Sequence, residues 1–340
     1  MSSNYPPMHG ADKPAPRAGR EWNHKPADPV QLAPLFVWPP RPVAYVQWVF
    51  RSWLFLTERI IVLGLAIATW FFLQPALERC ITFQADWIAQ MYVRNLGLMI
   101  AVAGGLHLYF YTFRKQGDKR RFDTRDMAGK ARSFTFNSQV LDNMFWTLAS
   151  GVTVWTAFEV LLMWGYANGY VPYLAWNDNP VWFVALFLLQ PIWGSFHFYW
   201  IHRLLHWPPL YRAAHALHHR NINIGPWSGM SMHPVEHILY LSSGLIHWVV
   251  ISHPIHVLFH MQVKALEAAS SHTGYEAVLV KDQSRLRLGD FFHQMHHRYF
   301  ECNYGTLEMP WDRWFGSFHD GSPEANAHIR ERRRRMMGSP

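Results

Sequence analysis

Four long apolar runs constrain this chain more than any other feature: Ile60 to Leu77, Val93 to Phe113, Leu141 to Tyr166 and Val181 to Ile201. A helix needs about 20 mostly apolar residues to cross a bilayer. Only helices and closed barrels satisfy every backbone polar group there. Trp48, Trp53, Trp70, Trp164, Tyr166, Trp182 and Trp200 stand near the ends of the runs, as interfacial anchors do. A further apolar stretch, Ile238 to Val263, is broken by Pro254 and holds His247, His253, His256 and His260. Four imidazoles facing lipid would be costly, so a re-entrant or interfacial hairpin is expected there. Buried helices of a soluble α protein are the competing explanation for the runs.

Basic residues orient the spans. The loop from Arg114 to Val140 carries Arg114, Lys115, Lys119, Arg120, Arg121, Arg125, Lys130 and Arg132. The loop from Glu78 to Tyr92 has only Arg79, and that from Ala167 to Pro180 has none. Arg203, Arg212 and Arg220 follow the fourth run, and the chain closes with RERRRR. The positive-inside rule then puts both termini, the middle loop and everything after the fourth run on the cytoplasmic side. The net charge of +8 reflects this bias and calls for no nucleic acid. Residues 1–35 are rich in Pro, Ala and charge, without the apolar core of a signal peptide, and are expected to form a mobile cytosolic tail. Cys80 and Cys302 provide neither a disulfide framework nor a zinc knuckle. With no lysine-rich retrieval ending, a bacterial inner membrane is favoured over the endoplasmic reticulum.

Sixteen of the 21 histidines fall between His197 and His297, mostly in clusters. These are HRLLH (His202, His206), HALHH (His215, His218, His219), HPVEH (His233, His237), a lone His272, and HQMHH (His293, His296, His297). Neutral imidazole is the commonest metal ligand, and burying so many unpaired would be costly. His202 and His206 share one helical face directly after the fourth run. In each His-x-x-His-His, the first and fourth residues are expected to face one ion and the fifth a second. These three boxes supply eight nitrogens, more than one ion takes, and imply two ions. His272 and His233 are candidate ninth and tenth ligands, each with a lone hydrogen-bonded histidine as the alternative; His237 could stack with His233. The expected fold is an all-α integral membrane protein, a bundle of about four transmembrane helices with a cytosolic helical cap holding a polyhistidine dimetal site. Imidazole suits zinc and iron alike. Zinc would fit hydrolysis, but the HExxH motif is absent. Iron would fit oxygen activation in an aromatic-walled pocket.

HRLLH, HALHH and HQMHH at the edge of a membrane bundle resemble the sterol desaturase / fatty acid hydroxylase superfamily of membrane diiron oxygenases. MHPVEH around His233, SHTG around His272 and NYGTLEMPWDRWFGSF from Asn303 to Phe318 extend the resemblance, which covers about Val181 to Phe318. It implies two iron ions held by His202, His206, His215, His218, His219, His272, His293, His296 and His297, with His233 a further candidate. Zinc could replace the iron in purified protein. It also implies O2 as co-substrate and hydroxylation or desaturation of a lipid, such as a sterol or fatty acyl chain. Some members have a second histidine four residues before the one matching His272; here that position is Ala268. Either one ligand fewer, or His233 or His237 in its place, is expected.

No HPGG haem segment and no Rossmann fingerprint is present, so electrons are expected from a separate protein of ferredoxin or cytochrome type. The basic loop Arg114 to Arg132 is a candidate docking surface for an acidic donor, a solvated positive-inside loop being the alternative. Expected regions are a cytosolic tail and interfacial segment (1–55), N-terminal spans and basic loop (56–180), a catalytic domain (181–320) and a basic tail (321–340). The alternatives are a membrane zinc-dependent hydrolase, a metal transporter and a bis-histidine haem protein.

Overall fold

The computed structural model describes residues 21–336 apart from Asp28 and residues 54–56. Helix α1 (Pro42–Trp53) and helix α2 (Glu58–Leu73) form a pair bent by 51°. Helices α3 (Ala85–Thr112), α4 (Gln139–Ala167) and α5 (Pro180–Leu205) are each long and apolar enough to cross a membrane, and the bent pair makes a fourth candidate. Local chemistry sets their starts. Ser138 caps α4 by accepting from Leu141 N, and Asn179 caps α5 by accepting from Trp182 N, with Pro180 at the first helical position. In the most apolar window, 44% of α4 is buried against 11% of α5, so α4 forms the bundle interior and α5 its edge. Arg94 of α3 and Glu159 of α4 form a buried ion pair, which Asn95 Nδ2 (2.9 Å) and Trp155 Nε1 (2.7 Å) complete.

After α5 come α6 (208–219), α7 (Pro234–Leu241) and α8 (254–271). Pro254 ends the apolar stretch as one helix and starts the next, where its ring is tolerated. The imidazoles here are paired inside the protein. His247 bonds Ser252 Oγ (2.8 Å) and His260 Nδ1 (3.2 Å), and His256 Nε2 donates to the Phe183 carbonyl (2.8 Å).

The chain is mostly but not wholly helical, which corrects the all-α expectation. Strands β1 (Ala277–Val280) and β2 (Gln283–Arg287) form an antiparallel hairpin. Lys281 and Asp282 both adopt positive φ (51° and 61°), as a two-residue turn matched to strand twist requires. Helices α9 (Phe291–Tyr299), α10 (Trp311–Trp314) and α11 (Pro323–Met336) complete the order.

The basic loop before α4 folds against the hairpin. Arg114 and Arg121 pair with Asp118, Lys119 with Asp282, Arg120 with Glu276, and Arg125 with Asp123. In the N-terminal region, the described residues between 21 and 33 are docked and do not form a free tail. Trp22 packs edge-on against Phe291 at 5.0 Å, Val30 N donates to Asp320 O, and Ala33 N to Leu307 O. The rest of that expectation, residues 1–20, lies outside the described residues.

Candidate metal centre

The C-terminal end of α5 meets α6, the end of α8 and α9, and there nine imidazoles converge in two groups. His202, His206, His215, His219 and His296 form the first; His218, His272, His293 and His297 form the second. Within each group the ligand nitrogens all lie within 4.8 Å of one another. The groups adjoin, with the His219 and His297 rings 5.0 Å apart. Each His-x-x-His-His divides differently from expectation. His215 and His219 face one group and His218 the other; His293 and His297 face one group and His296 the other. Helical geometry explains it. Four residues return to within about 40° of the starting direction, whereas three fall about 60° to the other side.

Second nitrogens fix these rings. His202 Nδ1 donates to Tyr304 O (2.6 Å), His296 Nδ1 to Cys302 O (2.6 Å), and His272 Nδ1 to Ala268 O (2.8 Å). His218 Nδ1 reaches Ser231 O at 3.3 Å, and His215 Nδ1 meets Glu236 Oε1 at 2.7 Å. A proton committed to an oxygen acceptor at Nδ1 leaves a lone pair on Nε2.

Those lone pairs point at one another. In the first group, His206 Nε2 lies 3.2 Å from Nε2 of both His215 and His296, and His219 Nε2 lies 3.0 Å from that of His296. In the second, His297 Nε2 lies 3.2 Å from Nε2 of His272 and of His293. His202 Nε2 is buried without a hydrogen-bond partner. Nitrogens about 2.1 Å from one ion stand about 3.0 Å apart in octahedral geometry and about 3.4 Å in tetrahedral. The donor set therefore fits a cation in each group. Burial holds His215 down to about 3 and His218 to about 4, and keeps His206, His219, His272, His293, His296 and His297 well below the ordinary histidine value. All eight are thus neutral, the ligating form, at physiological pH.

The HPVEH box contributes through its carboxylate. Glu236 orients His215, and burial raises it to about 7. His233 joins neither group; its Nδ1 accepts from Val235 N and caps α7. His237 has both nitrogens engaged, by Ser150 Oγ (2.9 Å) and Met230 O (3.0 Å). At position 268 the backbone carbonyl orients His272, and the second group has four imidazoles.

Sequence reasoning also missed what the tract from Asn303 to Phe318 does. Asp312 accepts from Tyr304 N (2.9 Å), Gly305 N (2.7 Å) and Ser317 Oγ (2.6 Å). Asn303 Nδ2 donates to Phe292 O and His319 O, both at 3.0 Å. These bonds hold the Tyr304 carbonyl that anchors His202. An acidic residue in a buried turn was the available signal. A cavity of about 260 Å³ borders both groups; His202, His215, His218, His272, His293 and Lys264 are among the residues that line it.

A membrane-type helical bundle carrying two convergent imidazole clusters defines a metal-binding class. The comparisons narrow it. Residues 183–317 match the fatty acid hydroxylase family. The chain is 28% identical over 140 residues to Delta(7)-sterol 5(6)-desaturase of Eremothecium gossypii, covering 41% of this chain and 38% of that protein. It is 32% identical over 125 residues to Delta(7)-sterol 5(6)-desaturase of Saccharomyces cerevisiae, covering 35% and 32%. With methylsterol monooxygenase 1 of Gallus gallus it shares 31% identity over 157 residues, covering 43% and 51%. The matches thus span about a third to a half of these relatives' lengths. No solved structure matches. The matched segment contains all nine clustered histidines. These relatives are eukaryotic, which leans against the expected bacterial inner membrane.

Proposed function

We propose that this chain is a membrane-bound non-haem diiron oxygenase that hydroxylates or desaturates a lipid, using O2 and electrons from a separate protein. The observation that carries this reading is the pair of convergent imidazole clusters bordering one cavity. Nine histidines, His202, His206, His215, His219 and His296 in one group and His218, His272, His293 and His297 in the other, would hold the ions. Iron there would supply oxygen activation and removal of hydrogen from an unactivated C–H bond. The chain's own work is orientation and exclusion of water. Backbone carbonyls and Glu236 lock the rings, while Phe198, Met232 and Val263 wall the cavity. The relatives' names include both desaturases and a monooxygenase acting on sterols, so a sterol or similar lipid is the favoured substrate class.

The clusters would lie at the cytoplasmic membrane edge with both termini on that side, a reading supported by the basic loop before α4. Five of its basic side chains are committed to internal ion pairs, which leaves less charge for docking an acidic donor. A zinc hydrolase reading gains no support here, because Glu236 serves His215. Metal analysis of detergent-purified protein, expressed with iron supplied and zinc kept low, tests the proposal. About two irons per chain are expected, with oxygen-dependent conversion of a sterol or fatty acyl lipid on addition of reductant. His218→Ala and His296→Ala should lose iron and conversion while keeping their helical content. Full activity in either variant would sink the ligand assignment.

A further inference from the structure

The cavity beside the clusters presents a donor and an acceptor without hydrogen-bond partners among the described residues. Lys264 is 6% exposed, and its Nζ lies 4.1 Å from the Tyr240 ring centroid and 5.2 Å from that of Phe198. It lines the cavity and makes no hydrogen bond or ion pair there. Glu267, three residues on, lines the same cavity and has a buried Oε1 with no hydrogen-bond partner. Three other charges at the cavity wall, Arg59, Glu308 and Asp290, are engaged. Arg59 pairs with Glu308, which also accepts from Thr306 Oγ1 (2.7 Å), and Asp290 caps α9 through Phe292 N (2.8 Å).

We infer that Lys264 and Glu267 read a hydroxyl group on the lipid, Nζ donating to its oxygen and Glu267 Oε1 accepting its hydrogen. This deepens the lipid-oxygenase reading and rests on it. A hydroxyl is the smallest group that satisfies both orphans at once. An anionic head would face Glu267, Glu58 and Glu308; a cationic head would face Lys264 and Arg59. Burial lowers Lys264 to about 7 and raises Glu267 to about 7, so the cavity already holds these charges at a cost and disfavours a further ion.

The substrate then enters polar end first. The ring of Phe198 neighbours both the ammonium and the first cluster, its centroid 5.2 Å from Nζ and 4.9 Å from the His202 ring. A cavity of about 260 Å³ holds that polar end and a few carbons, at about 30 Å³ for a water-sized group, and the rest of the lipid stays outside.

Binding without turnover tests this, and its outcome is independent of iron or oxygen. Apparent dissociation constants would be measured by ligand-induced thermal shift on the full chain in detergent. The probes are two matched pairs, cholesterol with its 3-O-methyl ether and 1-hexadecanol with its methyl ether, plus hexadecanoate. The ether keeps the oxygen but cannot donate. The alcohol should bind at least about tenfold more tightly than its ether in one pair. Glu267→Gln should bring that ratio towards one, and Lys264→Met should weaken alcohol and ether alike, neither changing metal content. Equal affinity within both pairs, or no binding by any alcohol, overturns the proposal. Tighter binding of hexadecanoate, lost in Lys264→Met but kept in Glu267→Gln, also overturns it in favour of a carboxylate site. Should a variant fail to fold, the alcohol-to-ether ratio of the unaltered chain decides. Failure of the oxygenase reading would appear as absent turnover with the ratio intact.

Discussion

A histidine is a dependable ligand when its other nitrogen is already committed. Five of the nine clustered imidazoles have Nδ1 bonded to an oxygen, and one of those oxygens belongs to Glu236. Removing an outer hydrogen-bond partner of a ligand typically costs about 10- to 100-fold in metal affinity. Glu236→Ala should therefore lower iron affinity by that order, read as retention during chelator titration, while His237→Ala should leave it unchanged. Acid acts on the same residues. Free histidine titrates near about 6.5. Burial holds His215 down to about 3 and His218 to about 4. The folded values lie below the unfolded one, so the unfolded state binds more protons once pH falls below 6.5. The stability contributed by neutral imidazoles is complete above that pH and is lost as pH falls towards 4. The thermal midpoint of the iron-free protein should decline steadily from pH 7 to pH 4. A flat profile would mean that the clusters are hydrated and already open.

At the scale of elements, ligands come from helices while their anchors come from loops. The turn at 302–306 supplies the carbonyls behind His202 and His296, and Asp312 holds it through three hydrogen bonds. Hydrogen bonds to a charged group are worth about 1.5–3 kcal/mol each. Asp312→Ala should lower stability by at least about 2 kcal/mol and release iron from the first group, whereas Asp312→Asn should retain part of both. Thermal unfolding and iron content, measured on the same samples, check this; an Asp312→Ala protein with full iron would separate the turn from the site. This division also explains what could be read from the chain. Box spacing marked His202, His206, His215, His218, His219, His293, His296 and His297 as candidates, while the packing of α5, α6 and α9 that divides them into two groups was not legible. The role of Glu236 was not legible, since HPVEH draws notice to histidines that cap α7 and bond Ser150. The hairpin was missed for a related reason. Its turn is Lys281-Asp282, residues that adopt positive φ without the glycine that usually marks it.

For the molecule as a whole, helix length links the metal site to membrane sidedness. Helix α4 has 29 residues and α5 has 26, so each spans roughly 40 Å, more than the roughly 30 Å of a bilayer core. If both cross, the loop between them lies across the membrane from both the basic loop before α4 and the histidine clusters after α5. Charge agrees with length: that far loop carries no Lys or Arg, while the loop before α4 carries eight. The buried Arg94–Glu159 pair ties α3 to α4 within the bundle. Both native cysteines are buried, which lets single introduced thiols report accessibility on their own. Lys130→Cys, Arg330→Cys and Asn177→Cys replace exposed residues. In sealed vesicles, a membrane-impermeant maleimide should modify the first two from one face and Asn177→Cys only from the other. Modification of Lys130→Cys and Asn177→Cys from the same face would mean that α4 does not cross. The clusters would then have to reach their lipid from a surface-bound bundle rather than from the edge of a spanning one.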